Sequence, residues 1–133
     1  MKLSADCIRS VLLTVESFQF GESHDIGYIH SLCPEHSEEE LEYCCLKLFE
    51  GGLLDLDKVS GVWVGGVPRK YEVKSIHELT WQGHQFLDSV RDPKIWRETK
   101  NIAEKTGAFT LNALSSIAQG VATAAVNRFL GLP

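Results

Sequence analysis

The sequence lacks an excess of basic residues, since 13 Lys and Arg stand against 18 Asp and Glu and the formal net charge is −5. A surface that binds nucleic acid over a broad area needs a basic footprint to meet the phosphates. The composition therefore argues against nucleic acid as the partner of the whole surface, and it leaves open a local basic patch. The sequence also lacks G-x-S-x-G, a P-loop, H-E-x-x-H and the dinucleotide-binding glycine pattern. We therefore expect a protein that is not an enzyme and that binds no cofactor.

Four cysteines are present, which are Cys7, Cys33, Cys44 and Cys45. Cys44 and Cys45 are adjacent, which is poor geometry for a disulfide. With Cys33 and His36 they form the pattern C-x2-H-x7-C-C, which lacks the two spaced doublets of a typical zinc site. Charged residues interrupt Met1–Ser10, where a secretory signal would need an apolar run. We therefore expect free thiols in a cytoplasmic location, with the adjacent pair in the core and no metal site.

The first third of the chain has mainly helical patterns. Apolar residues recur at helical spacing in Ser4–Phe18 and predict the first helix. The mixed segment Gly21–His36 is predicted to form a short strand at residues 26–29 followed by a single helical turn. Ser37–Glu50 predicts a long helix, because its first residue and Glu40 have capping-box spacing and two glycines follow as a stop.

From Leu53 to Ile76 the apolar period becomes two, which predicts a β-hairpin with a long, Gly-rich tip. Val62 and Val64 put apolar bulk at this tip. Trp63 between them is either a recognition residue on a flexible loop or a side chain that folds back onto the core. The hairpin is also locally basic and is the part of the chain that could contact a nucleic-acid backbone. Its cationic residues are Lys58, Arg69, Lys70 and Lys74.

The string "ELTWQGHQFLDSVRD" follows the hairpin and predicts a helix capped by Thr80. Gly83 is then the third helical residue, where glycine costs about 1 kcal/mol relative to alanine. We therefore expect another backbone to approach closely at Gly83, from the preceding strand or the first helix. Asp92 and Pro93 begin a further helix that Gly107 ends.

Residues 108–133 form a nearly uncharged tail with an amphipathic helical pattern. The tail is long enough to extend beyond a domain of this size, so its apolar stripe predicts a homo-oligomer. Packing on its own domain and contact with a membrane remain alternatives. The residues predicted to form the oligomer contact are Leu111, Leu114, Ala118, Val121, Ala125 and Phe129.

The order of these elements matches a winged helix-turn-helix. The strings "MKLSADCIRSVLLTVE", "GGLLD" and "LTWQGHQFLDSVRDPKIW" resemble an uncharacterised family of small bacterial and phage or prophage proteins that carry a domain of unknown function. The resemblance covers roughly Met1–Trp96 and implies a mobile-element context, but no activity and no site residues. We expect an α+β fold with an elaborated β-hairpin wing at residues 1–92 and a C-terminal helical extension at residues 93–133.

The second long helix occupies the recognition-helix position, yet its predicted exposed face is acidic. Carboxylates facing phosphates at short range repel them, so insertion of this helix into a DNA groove is disfavoured. The face is either a solvated surface or a protein-binding surface with an aromatic centre and a polar rim. We predict a protein partner at this face, at Trp63, or at both; the alternatives are a transcriptional regulator that binds DNA through the wing and a membrane-active effector. The residues of the predicted face are Glu39, Glu42, Tyr43, Leu46 and Glu50.

Overall fold

The computed structural model describes all 133 residues except the side chains of Val62 and Val64, so the bulk predicted for those valines lies outside the described residues. Over this range the chain has a mixed α+β fold, and the α+β prediction is confirmed. The elements are α1 (Ala5–Glu16), α2 (Ile26–Leu32), α3 (Glu38–Glu50), β1 (Leu54–Val64), β2 (Val67–Leu79), α4 (Trp81–Val90), α5 (Pro93–Thr106) and α6 (Leu111–Leu130).

The chain divides into two compact units, Met1–His84 and Gln85–Pro133, which we call unit 1 and unit 2. The division lies within α4, whereas the sequence placed it between residues 92 and 93.

Unit 1 is built around α1 and α3, which pack against each other and against the hairpin. The Ser4 side chain caps α1 by accepting a hydrogen bond from the backbone N–H of Cys7 at 3.3 Å. The Ser37 side chain caps α3 in the same way, accepting from the N–H of Glu40 at 3.1 Å. These caps fix where both helices begin, because each satisfies a backbone donor that has no partner within its helix.

The segment predicted as a strand at residues 26–29 is a helix, so that prediction was wrong. The Asp25 carboxylate accepts a hydrogen bond from the N–H of Tyr28 at 2.9 Å and begins α2 at the point where a strand was expected. Ahead of the Asp25 cap, His24 forms an isolated antiparallel bridge with Ile76, and the two exchange backbone hydrogen bonds of 3.1 and 2.7 Å. The local aspartate cap therefore outweighs the short apolar alternation.

The hairpin consists of two long antiparallel strands joined by a tight turn, and the expected long loop at its tip is wrong. Val64 pairs with Val67, and Gly65 and Gly66 form the turn with φ values of 57° and 79°. Two-residue hairpin turns with positive φ at both positions favour glycine and match the twist of the strands. The glycine-rich stretch therefore closes the hairpin instead of extending it as a loop.

Gly83 confirms the expected close approach of another backbone. A Cβ atom added there would lie 2.1 Å from the carbonyl oxygen of Leu53 and 3.3 Å from the Cβ of Leu79. Thr80 caps α4 by accepting from the N–H of Gly83 at 3.1 Å, and its own N–H donates to the Leu53 carbonyl at 3.1 Å. The neighbours are thus the residue before β1 and the end of β2, and not the first helix.

Unit 2 contains α5 and α6, which pack on each other. Leu114, Ala118 and Val121 are buried, so they are already covered by their own chain and do not form the exposed oligomer contact that the sequence predicted. They fill the helix–helix contact because they recur every three or four residues along α6. Phe129 differs from them, since it is 90% exposed. Within the described part of the chain, no helix combines the length and the apolar content that a membrane span requires.

Candidate functional site: an acidic cleft in unit 1

A cleft of about 630 Å³ opens in unit 1 between the start of α2, the first half of α3 and strand β2. Ile26, Val67 and Val73 supply part of an apolar lining. Five carboxylates and one guanidinium supply its charge, so the cleft is acidic. We call this region the acidic cleft, and its charged residues are Asp25, Glu38, Glu39, Glu42, Arg69 and Glu72.

Glu42 joins α3 to the hairpin at the floor of this cleft. One carboxylate oxygen accepts from Arg69 Nη2 at 2.6 Å and the other accepts from the backbone N–H of Val73 at 2.9 Å. Glu42 is only 8% exposed, so its place on the predicted exposed face was wrong. Strand β2 covers that side of α3, and burial of the carboxylate requires the partners that it finds there.

The remaining carboxylates of the acidic cleft are more accessible. Glu38 lies 3.7 Å from the ring of His30, and Glu72 lies 3.3 Å from Lys74. Glu39 is exposed. Surface contacts of this kind are weak and are screened by water and salt. Glu38 and Glu39 therefore keep most of their attraction for an incoming cation, whereas Lys74 offsets part of that of Glu72.

The other residues of the predicted α3 face do not line the acidic cleft. Tyr43 and Leu46 are half-buried, and the Lys47 ammonium lies 5.5 Å from the centre of the Tyr43 ring. Lys47 also donates to the Glu50 carboxylate at 3.0 Å, and this hydrogen bond lowers the pKa of Glu50. The structure therefore separates the predicted face into an acidic part at the start of α3 and an aromatic part further along it.

Each cationic residue of the hairpin lies near an aromatic ring or a carboxylate. Lys58 lies 3.7 Å from the centre of the Tyr71 ring, and Lys70 lies 5.2 Å from the same centre. Arg69 pairs with Glu42 at the floor of the acidic cleft, and Lys74 pairs with Glu72. The predicted basic patch is thus interleaved with aromatic and acidic groups, which lowers its net attraction for phosphates.

Trp63 lies near the tip of the hairpin with 71% of its surface exposed. The interpretation that it folds back onto the core was therefore wrong, and its exposure keeps it available to a partner. A large exposed aromatic side chain is a typical recognition feature of a loop or hairpin tip.

The four cysteines are free and buried. The sequence predicted the free thiols and the burial of Cys44 and Cys45, but not the burial of Cys7 and Cys33. The Cys44 thiol hydrogen-bonds to Cys7, which lowers the pKa of Cys7 and raises the pKa of Cys44. Burial raises the pKa of Cys45 and, more weakly, that of Cys33. The raised pKa values of Cys33, Cys44 and Cys45 favour the neutral thiol, and buried neutral thiols pack as small apolar side chains.

Three acids of the cleft and the pairing of Glu42 with Arg69 were not predicted from the sequence. Asp25 can be recognised afterwards as a helix cap, because it stands three residues before Tyr28, whose backbone N–H donates to its carboxylate. Glu38 and Glu72 carry no local pattern that distinguishes them from solvated acids. The pairing of residues 42 and 69 depends on how the hairpin packs on α3, which single-sequence periodicity does not report.

Comparison with known proteins agrees with the expected kinship. The family model described as "Hypothetical protein (DUF2513)" matches residues 2–109. A similar chain from Haemophilus influenzae, described as "Uncharacterized protein", is 32% identical over 127 residues, which cover 91% of this chain and 95% of that relative. No solved structure matches the chain. The expectation of a family with a domain of unknown function is confirmed, and the match includes every residue of the acidic cleft.

Proposed function

Because the chain belongs to the family described as "Hypothetical protein (DUF2513)", we propose a function from the geometry of unit 1. We infer that the chain is a non-enzymatic interaction module whose acidic cleft binds a basic segment of a protein partner. The observation that carries this proposal is the imbalance of charge in a cleft of about 630 Å³, where five carboxylates face one guanidinium. Arg69, the one cation among the described lining residues, is already engaged by Glu42.

A lysine or arginine side chain suits this cleft for two reasons. Carboxylates attract a cation with about 1 kcal/mol per unit charge at 4 Å in water, and more where water is partly excluded. The apolar lining from Ile26, Val67 and Val73 can contact the aliphatic stem of such a side chain. The same carboxylates would repel phosphate groups, and this repulsion disfavours nucleic acid at this site.

We also propose the winged helix-turn-helix classification, which the order of α1, α2, α3, the hairpin and α4 supports. In that classification the acidic cleft lies beside the recognition-position helix α3. A cytoplasmic location is supported by four free thiols. A phage or prophage context is supported by the resemblance of the N-terminal and post-hairpin strings.

The test measures binding of a fluorescent octapeptide of alternating lysine and glycine by anisotropy, against an octapeptide of alternating glutamate and glycine. We expect the basic peptide to bind and the acidic peptide not to bind. In the double variant Glu38→Gln, Glu39→Gln the affinity should fall about thirtyfold at low salt, since the two lost carboxylates together contribute roughly 2 kcal/mol before screening.

The matched control is the double variant Glu98→Gln, Glu104→Gln, which removes the same charge from α5 in unit 2. Its affinity for the basic peptide should equal that of the unchanged protein. Equal losses in both double variants would mean that net charge alone attracts the peptide, and the cleft would then have no specific role.

A labelled DNA duplex tested across a salt series separates the alternative regulator function. Tight binding that falls steeply with salt and is lost in Lys70→Glu would refute the proposal of a protein partner in favour of DNA contact through the hairpin. Lys70 is the appropriate position because it is exposed on β2 and does not line the acidic cleft.

A further inference from the structure

Three metal-ligating side chains from separate parts of unit 1 meet at one place outside the acidic cleft. Cys7 comes from the first turn of α1, His36 from the connection between α2 and α3, and Glu40 from the first turn of α3. One ligand atom from each of the three lies within 4.8 Å of the other two. The His36 Nδ1 atom is 3.4 Å from the Glu40 carboxylate oxygen.

Local structure holds each of these residues in place. The N–H of Cys7 donates to the Ser4 hydroxyl, and the N–H of Glu40 donates to the Ser37 hydroxyl, so both residues sit in capped first turns. The N–H of His36 donates to the Cys33 carbonyl at 3.2 Å. These hydrogen bonds fix the backbone from which each ligand side chain extends, and the three ligand atoms then need only small side-chain shifts, from within 4.8 Å of one another, to bind one ion.

We propose that Cys7, His36 and Glu40 form a binding site for a divalent transition-metal cation of the Zn²⁺ class. Thiolate, imidazole and carboxylate are its usual protein ligands, at about 2.0–2.3 Å from the ion in a tetrahedral arrangement. Tetrahedral bonds of that length separate neighbouring ligand atoms by roughly 3.3–3.8 Å, a range that includes the measured separation of the His36 and Glu40 atoms. Three protein ligands leave a fourth position for water.

Neighbouring groups fit this assignment. The Glu35 carboxylate lies 3.9 Å from Nε2 of His36, the ring nitrogen that faces away from Glu40. A carboxylate beside the second nitrogen of a histidine ligand orients the ring and raises its basicity. Binding forms a metal–sulfur bond at Cys7 and releases the thiol proton to solvent.

The same residue types would also suit a cysteine nucleophile with a histidine base, but burial distinguishes the two roles. Cys7 is 2% exposed, so a substrate carbonyl has no approach to its sulfur. A single ion needs far less access, and the other two ligands are more accessible than Cys7, since His36 is half-buried and Glu40 is exposed. The sequence-based expectation of no metal considered His36 together with Cys33, Cys44 and Cys45, and it did not include Cys7, which the approach of α1 to α3 brings beside His36.

The test uses the full chain after treatment with a chelator, titrated with Zn²⁺ against a chromophoric competitor and with Co²⁺ in parallel. We expect one ion per chain and, with Co²⁺, a sulfur-to-metal charge-transfer band in the near ultraviolet. The Cys7→Ser variant should lose that band. His36→Gln and Glu40→Gln should each weaken Zn²⁺ binding by at least roughly tenfold, because even outer-shell losses have effects of this size.

Two controls make the result specific to this site. Cys33→Ser removes another buried thiol and His30→Gln removes another histidine beside a glutamate, and both should bind Zn²⁺ like the unchanged protein. If Cys7→Ser does not fold by circular dichroism, the exposed-side variants at His36 and Glu40 decide the test. Absence of stoichiometric binding, or equal binding by the His36→Gln and His30→Gln variants, would overturn the proposal.

Discussion

The substitution Gly83→Ala tests the close approach of the Leu53 backbone to the start of α4. The added Cβ would stand 2.1 Å from the Leu53 carbonyl oxygen, although real Cβ contacts essentially never fall below 3.0 Å. The obstacle is backbone, so no side-chain rotation relieves it. The start of α4 and the residue before β1 must separate.

The cost follows from what that separation breaks. Forced overpacking costs about 1–3 kcal/mol. The separation also strains two hydrogen bonds of Thr80, from its N–H to the Leu53 carbonyl at 3.1 Å and from its hydroxyl to the Gly52 carbonyl at 2.6 Å. Each of these is worth about 1 kcal/mol. The higher helix propensity of alanine offsets about 1 kcal/mol of these costs. We therefore expect the free energy of unfolding to fall by about 2–4 kcal/mol.

The assay is urea unfolding followed by far-ultraviolet circular dichroism, with Gly120→Ala as the matched control. Gly120 is also a helical glycine, and a Cβ added there meets no atom within 4 Å. That variant should be as stable as the unchanged protein or up to about 1 kcal/mol more stable. If Gly83→Ala unfolds at the same urea concentration as Gly120→Ala, the close approach at Gly83 is not present in the molecule and the reasoning fails.

Three further predictions use other features of the chain. Glu42→Ala should lower the free energy of unfolding by about 2–3 kcal/mol, because the buried N–H of Val73 and the partly exposed Arg69 guanidinium lose their acceptor. As a control, Glu50→Ala should leave the urea midpoint unchanged. Burial raises the pKa of Cys45, so its thiolate fraction is low and iodoacetamide at about pH 8 should modify it only after unfolding. Modification of the folded protein, detected by mass spectrometry, would contradict this prediction. We expect the chain to form a homo-oligomer at tens of micromolar, and Phe129→Asp to dissociate it; light scattering that shows a monomer throughout would contradict this.

Local chemistry explains which elements the sequence predicts correctly. Three helix caps accept from a backbone N–H two or three residues later, so a few neighbouring residues are enough to predict them. These caps are Ser4, Ser37 and Asp92. Gly107 ends α5 with a φ of 72°, a conformation that glycine adopts without strain. The close approach at Gly83 was predicted correctly for a related reason. Glycine is unfavourable early in a helix, so its presence there indicates that a side chain would have no room.

The errors arise where contacts between elements decide the outcome. The hairpin tip was predicted as a long loop because its glycines suggested flexibility, but Gly65 and Gly66 close a tight turn and leave the strands paired up to Val64. The α6 stripe was predicted to be open because α5 was not known to cover it. The Gly-Gly pair is itself a local signal of a two-residue hairpin turn and was misinterpreted. The cover of the α6 stripe does not follow from the local sequence, since it depends on the position of α5.

The pairing of Glu42 with Arg69 shows how one such contact changes the expected chemistry of two surfaces. Considered separately, Glu42 adds a negative charge to an exposed helix face and Arg69 adds a positive charge to a DNA-contacting hairpin. In the structure their atoms are 2.6 Å apart and Glu42 is largely buried, so neither charge is available to a partner in the way the sequence suggested. The carboxylates left accessible in the cleft are then Asp25, Glu38, Glu39 and Glu72. The hairpin loses a free cation while the cleft keeps its negative charge, and this shift favours a basic protein segment over a phosphate backbone at this part of unit 1.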